Sequence, residues 1–202
     1  TVKGAIFKLF EDFVTTAHGP DAFDDLLDAT ELQTTDPIVG PGTYPAEDLL
    51  ALVGSAVAAY EQPVDELLRA FGRHAFPTLA RSVPELMVGL DDPHTFLMKL
   101  ESVIHTEVRK LDHEANPARF VATEVSPHEL VLAYESGFGL FPLVEGFLDG
   151  LGDWYDAPLH HELISTEGTN AEFRIRTGPE ALAALVDPKR AGVDASANGA
   201  VI

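Results

Sequence analysis

Few residues in this sequence combine a reactive type with a position from which they could act, and His105 is the first of them. It lies in the run DPHTFLMKLESVIHTEVRKLD, residues 92–112. There Leu97, Leu100, Ile104, Val108 and Leu111 recur at the three- and four-residue intervals that keep one helix face against a core. Asp92 suits the cap of that helix and Pro93 its first position. On this spacing His105 falls about a quarter turn from the centre of the apolar stripe, with Met98 and Leu97 two turns earlier on its side. An imidazole at such a boundary has two uses. It is either a half-buried, hydrogen-bonded core residue, or a neutral ligand offered from a rigid support to a metal ion or a haem iron. Periodicity leaves both open.

Tyr134 and Ser136 form a second candidate, two hydroxyls two residues apart in a segment, 129–136, that alternates like a strand and so sets them on one face. The other candidates fall away. His160 and His161 are adjacent in a predicted strand and point to opposite faces, so they do not chelate one ion. His18, His74, His94, His113 and His128 lack zinc-site spacing, and the cluster Asp21, Asp24, Asp25 and Asp28 has neither the glycine nor the terminal glutamate of a calcium loop. With no nucleophile elbow, no phosphate-cradling glycine loop and no carboxylate pair that spacing can assign, an enzyme is not expected.

These residues need a frame, and the pattern supplies one. Residues 4–18 read as a helix with Ile6, Phe10, Phe13 and Ala17 on one face, and a short helix follows Gly19-Pro20. After the turn-rich segment 34–44, Pro45 opens a helix to about Tyr60 and Pro63 opens another, with Pro77 and Pro84 expected to divide its continuation into short pieces. Beyond Asn116-Pro117 the period changes. Residues 119–125 and 129–136 alternate as strands, 139–156 return to a helix containing three glycines, and 159–166 with 171–177 make a last hairpin. Helices first and an antiparallel sheet afterwards imply an α+β fold: an N-terminal helical subdomain, then a subdomain with a roughly four-stranded antiparallel sheet packed by helices.

Composition narrows the rest. At 202 residues and 46% apolar, the chain has the size and the interior of one domain. A formal charge of −20 argues against nucleic acid and anionic membranes as partners, because phosphate binding needs clustered Lys and Arg. Zero cysteines exclude a disulfide framework, a thiolate zinc site and a thiol switch. No apolar run approaches the roughly 20 residues that span a bilayer, and no signal segment is visible, so a cytoplasmic protein is expected. The stretch 187–202 is small, polar and unpatterned, and reads as a linker or tail.

The run SVIHTEVRKL, together with VKGAIFKLFEDFV, TYPAEDLLALVGSAV, VDELLRAFGRHAFPTL and LVEGFLDGL, resembles the haem nitric-oxide/oxygen-binding family, the H-NOX domains related to the sensor domain of soluble guanylate cyclase. The resemblance is collinear over about residues 2–176. It implies a single domain over 1–186, with a helical distal subdomain over about 1–62, a proximal subdomain over 63–186 and the haem pocket between them. It makes His105 the proximal ligand of a haem b iron, with Leu97 and Met98 beside it. Ile6, Phe10, Ala75 and Leu143 fall where the family lines the gas-binding face. Oxygen-binding relatives carry a tyrosine at the Leu143 position, and leucine has no donor. The implied activity is therefore sensing of nitric oxide, with carbon monoxide also bound and no stable oxygen complex. Binding that weakens the iron–histidine bond would then shift a conformation read by a histidine kinase, a diguanylate cyclase or a chemotaxis receptor.

The chain departs from the family in two places. Family members hold the haem propionates with a Tyr-x-Ser-x-Arg signature. Here the residues are Tyr134, Ser136 and Phe138, so the arginine is missing. Arg119, Arg174 or Arg176 could stand in for it. The region that carries cysteines in many relatives reads LISTEGTNAEFRI. The first departure motivates an alternative, a haem-free or differently liganded interaction module of the same fold.

Overall fold

The structure, a computed structural model, describes residues 1–105 and 118–186, with the side chains of residues 103–105 outside that description. The expectations for 106–117 and for the tail from 187 lie outside the described residues. The chain forms two compact units. The first takes residues 1–88, 102–105 and 140–151, and the second takes 89–101, 118–139 and 152–186.

In the first unit, strand β1 (Val2–Lys3) pairs antiparallel with β2 (Thr43–Tyr44), and the helices are α1 (Gly4–His18), α2 (Ala22–Ala29), α3 (Ala46–Tyr60), α4 (Val64–Ser82) and most of α6 (Phe141–Tyr155). β2 lies at the end of the segment 34–44 expected to be turn-rich. The core is aromatic: Phe7, Phe10, Phe13, Phe23 and Phe71 are all buried. Phe10 and Phe71 meet edge to face, with ring centroids 5.2 Å apart at 78°.

Pro77 lies inside α4 and does not end it, contrary to the expectation of short pieces. A proline removes the helical partner of the carbonyl four residues earlier, which here is that of Arg73. That carbonyl faces Gly150 of α6: a Cβ built on Gly150 would stand 2.8 Å from the Arg73 oxygen. A Cβ on Gly146 would likewise collide with the Arg69 carbonyl, and one on Gly72 with the Leu143 carbonyl. The glycines thus let the two backbones touch where side chains would hold them apart. A bidentate ion pair, Arg69 Nε–Asp149 Oδ2 at 2.6 Å and Nη2–Oδ1 at 3.1 Å, ties the same two helices.

The second unit is built on a four-stranded antiparallel sheet in the order β3-β4-β6-β5, with β3 Arg119–Ser126, β4 Glu129–Glu135, β5 Leu159–Glu167 and β6 Asn170–Thr177. Alternation sends Leu130, Leu132, Tyr134, Phe173 and Ile175 to a buried face. The opposite face carries cross-strand ion pairs: Arg174 Nε–Glu129 Oε1 at 3.4 Å, Arg174 Nη1–Glu162 Oε2 at 3.8 Å and Arg176 Nε–Glu129 Oε2 at 3.0 Å. A closing helix, α7 (Gly178–Val186), buries Ala181 and Ala184. Its two buried alanines make only a faint apolar stripe in the sequence. The α+β architecture expected from the pattern is the one observed.

Helix α5 (Pro93–Lys99) packs against β3 and β4 and is capped as expected, the Asp92 carboxylate accepting from the Thr95 amide at 2.9 Å and hydroxyl at 2.7 Å. The Tyr155 hydroxyl donates to the Leu90 carbonyl just before this helix at 2.5 Å. Burial, with Asp92 and Asp91 nearby, raises the Tyr155 pKa and keeps that group a donor. The helix does not continue as α. Leu100–His105 form a π turn, and Glu101 at its start accepts from the Phe120 amide of β3 at 3.2 Å. A π turn advances each residue by less than the ~100° of an α-helix. The spacing rule that set His105 beside the stripe therefore does not carry across it.

No helix among the described residues is long and apolar enough to cross a membrane.

Candidate functional site

The four residues expected to line a gas-binding face fall in one hydrophobic cluster of the first unit. Phe10 of α1 and Ala75 of α4 are fully buried in it, and Ile6 and Leu143 are half-buried and pack against it. None of the four side chains has a hydrogen-bond donor. In the second unit Leu97 is buried on α5 and Met98 is half-buried.

Tyr134 is buried on β4, its ring 5.4 Å from that of Phe120. The strand ends at Glu135, one residue short of Ser136, whose polar groups are closely hydrogen-bonded. Its amide donates to Asn170 Oδ1 at 3.3 Å, its carbonyl accepts from the Thr169 hydroxyl at 2.5 Å, and its own Oγ accepts from the Phe138 amide at 3.2 Å. Phe138 is 44% exposed. His105 has its backbone in the π turn, and its side chain lies outside the described residues.

The arginines considered as replacements at position 138 are engaged elsewhere. Arg119 meets Glu135 at 3.0 Å, and Arg174 and Arg176 meet Glu129 across the sheet. They are the only arginines among the described residues of the second unit, and each faces a carboxylate.

His160 and His161 behave as alternation predicts, opposite Arg176 and Ile175 in the register of β5 and β6. Burial, then the nearby Arg176 and His161 charges, depress the His160 pKa and favour its neutral form. Among the described residues no group of three or more His, Cys, Asp or Glu could hold a metal ion.

One polar centre escaped sequence reading. Asp48, 2% exposed in the first turn of α3, accepts from the Gln33 amide at 2.8 Å, the Thr34 amide at 3.1 Å and the Thr34 hydroxyl at 2.5 Å. Burial alone would raise this carboxyl, but the hydrogen bonds from Thr34 and Gln33 outweigh it and hold the group below its usual range. Its partners lie 14 and 15 residues away, beyond any local pattern. The only signal was an acidic residue behind Pro45, which reads equally well as ordinary helix-dipole compensation.

The described residues thus form an α+β chain, with an apolar cluster in the helical unit and a buried tyrosine in the unit built on the antiparallel sheet. Comparison with known families identifies it. The model of the haem-NO-binding family, HNOB, matches residues 3–163, and the chain belongs to that family. Among solved structures it is similar to the unliganded iron(II) H-NOX protein from K. algicida, at 28% identity and a TM-score of 0.77, covering 88% of this chain and 97% of that one. It is also similar to an H-NOX protein from S. oneidensis in its Fe(II)NO state, at 24% identity and a TM-score of 0.81, covering 88% and 99%. An oxygen-binding H-NOX domain related to soluble guanylate cyclases, in its oxygen complex, matches at 18% identity and a TM-score of 0.75, covering 87% and 95%. The last two likenesses concern the fold alone. Comparison with curated proteins gives no match. Among the residues present, the clustered Ile6, Phe10, Ala75 and Leu143 of the first unit match the apolar macrocycle of haem in kind, while position 138 offers its carboxylates a phenylalanine in place of a guanidinium.

Proposed function

We propose that this chain is a gas sensor that binds nitric oxide, and also carbon monoxide, at ferrous haem b, and reports binding to a partner protein. The observation that carries the reading is the donor-free cluster of Ile6, Phe10, Ala75 and Leu143 in a member of the haem-NO-binding family. Haem, when bound, supplies an iron with one open coordination position for the gas. His105 would hold that iron, its backbone lying in a π turn that Glu101 joins to β3. Leu97 and Met98 shield the same side. Leu143 excludes water and offers no hydrogen bond, which nitric oxide does not need and a stable oxygen complex does. Tyr134 and Ser136 would hold the haem propionates, and Phe138 would bring no charge to them. The domain spans 1–186, acts in the cytoplasm, and its partner is a histidine kinase, a diguanylate cyclase or a chemotaxis receptor.

The test is spectroscopic. Protein purified with haem supplied and then reduced should show a five-coordinate Soret band that shifts with nitric oxide and ignores air. A stable oxygen complex on admission of air, or a reduced band that nitric oxide leaves unchanged, would refute the assignment.

Phe138, 44% exposed where the family carries an arginine, favours a second reading, a haem-free or differently liganded interaction module of the same fold. Colourless protein after reconstitution, melting at an unchanged temperature, would select it.

A further inference from the structure

A cavity of about 530 Å³ opens on the first unit where α1, α2 and the loop 30–38 meet. Its floor is apolar: Phe7 and Phe23 are buried beneath it, and Leu27, Leu32 and Ile38 are half-buried along it. Its rim carries Glu11, Asp24, Asp28 and Asp36 against a single cation, Lys8, which already meets Glu11 at 2.6 Å.

The loop that forms one wall is pinned at both ends. Asp48 holds Gln33 and Thr34, and the Tyr44 hydroxyl accepts from the Val39 amide at 2.7 Å. Leu32 and Ile38 are therefore held in place before anything binds, which removes the ordering cost an occupant would otherwise meet. Apolar surface kept half-open in a fixed wall, under an uncompensated acidic rim, is complementary to one kind of partner surface.

We propose that this groove docks a basic amphipathic segment of a partner protein. One aliphatic side chain of the segment enters over Leu27, Leu32 and Ile38, and lysines or arginines on either side of it meet Asp24, Asp28 and Asp36. The site lies wholly within the first unit and does not depend on haem, so it stands or falls separately from the sensor reading.

The test uses the full chain and a fluorescein-labelled amphipathic helix of lysine and leucine, followed by anisotropy at physiological salt. Saturable binding of one peptide per chain is expected. Asp24→Asn, Asp28→Asn and Asp36→Asn together should weaken it about tenfold. The same neutralisation elsewhere on the unit, Asp65→Asn, Glu66→Gln and Glu85→Gln together, should change it by less than about twofold. Ile38→Ser should also weaken binding. Since that variant could lose stability, a second peptide with serine in place of leucine tests the apolar part on the unmodified chain and should bind at least about tenfold more weakly. Equal losses from the two triple variants would overturn the proposal, because the peptide would then be reading only net charge. Undiminished binding of the serine peptide, or no saturable binding at all, would overturn it as well.

Discussion

Replacing Asp48 with asparagine tests how a buried carboxylate holds the loop that follows α2. The side chain is 2% exposed and accepts three hydrogen bonds, from the Gln33 amide and from the amide and hydroxyl of Thr34. Asparagine keeps the shape and one acceptor oxygen but turns an NH₂ group towards the Thr34 amide, donor against donor. A hydrogen bond to a charged acceptor contributes about 1.5–3 kcal/mol. Gln33 is exposed and Thr34 only half-buried, so water recovers part of any loss, and the expected cost is about 2 kcal/mol at neutral pH. The folded-state pKa is depressed, so the stabilisation is complete above the unfolded value of 3.8 and is lost as pH falls through the lower folded value. Urea unfolding of both proteins should therefore show a gap that is constant from neutral pH to about pH 5 and closes below 3.8. The other carboxylates titrate in both proteins and cancel in the difference. No gap at neutral pH, or one that persists unchanged in acid, would refute the reasoning.

Other expectations follow from the same packing. Gly146→Ala should cost about 1–3 kcal/mol in urea unfolding because its methyl would meet the Arg69 carbonyl, whereas Gly54→Ala, with nothing near it in α3, should gain about 0.5–1 kcal/mol. A double-mutant cycle on Arg69 and Asp149, whose side chains are 48% and 20% exposed, should return a coupling of about 0.5–1 kcal/mol. Leu143→Tyr adds a donor to the apolar cluster, so the reduced, haem-loaded variant should change its spectrum on admission of air while the parent does not. Identical behaviour of the two would remove Leu143 from the account.

Elements with a strong period were legible in the sequence, and those decided by long-range contact were not. The helix over residues 4–18 and the strands of the sheet emerged within a residue or two, because Phe10 with Phe13 and Leu130 with Leu132 repeat at the periods of their elements. Pro77 stays within α4, and the close approach of Gly150 to the carbonyl that it frees comes from another helix, which a local pattern does not show. The π turn after Lys99 leaves no trace in composition, and the short β1 and β2 pair exists only because distant segments meet. A lining role for Ile6, Phe10, Ala75 and Leu143 rests on family resemblance, since apolar side chains in a core look alike whether or not they face a ligand. The engagement of Arg119, Arg174 and Arg176 could not be read in advance, because it depends on strand register.

The most direct test of the proximal-ligand assignment is haem retention by His105→Gly. The unmodified chain, loaded with haem and passed through a desalting column, should keep its Soret absorbance. The variant should lose it, and imidazole in the buffer should restore it by filling the space the side chain left. A variant that keeps its haem without imidazole would contradict the account.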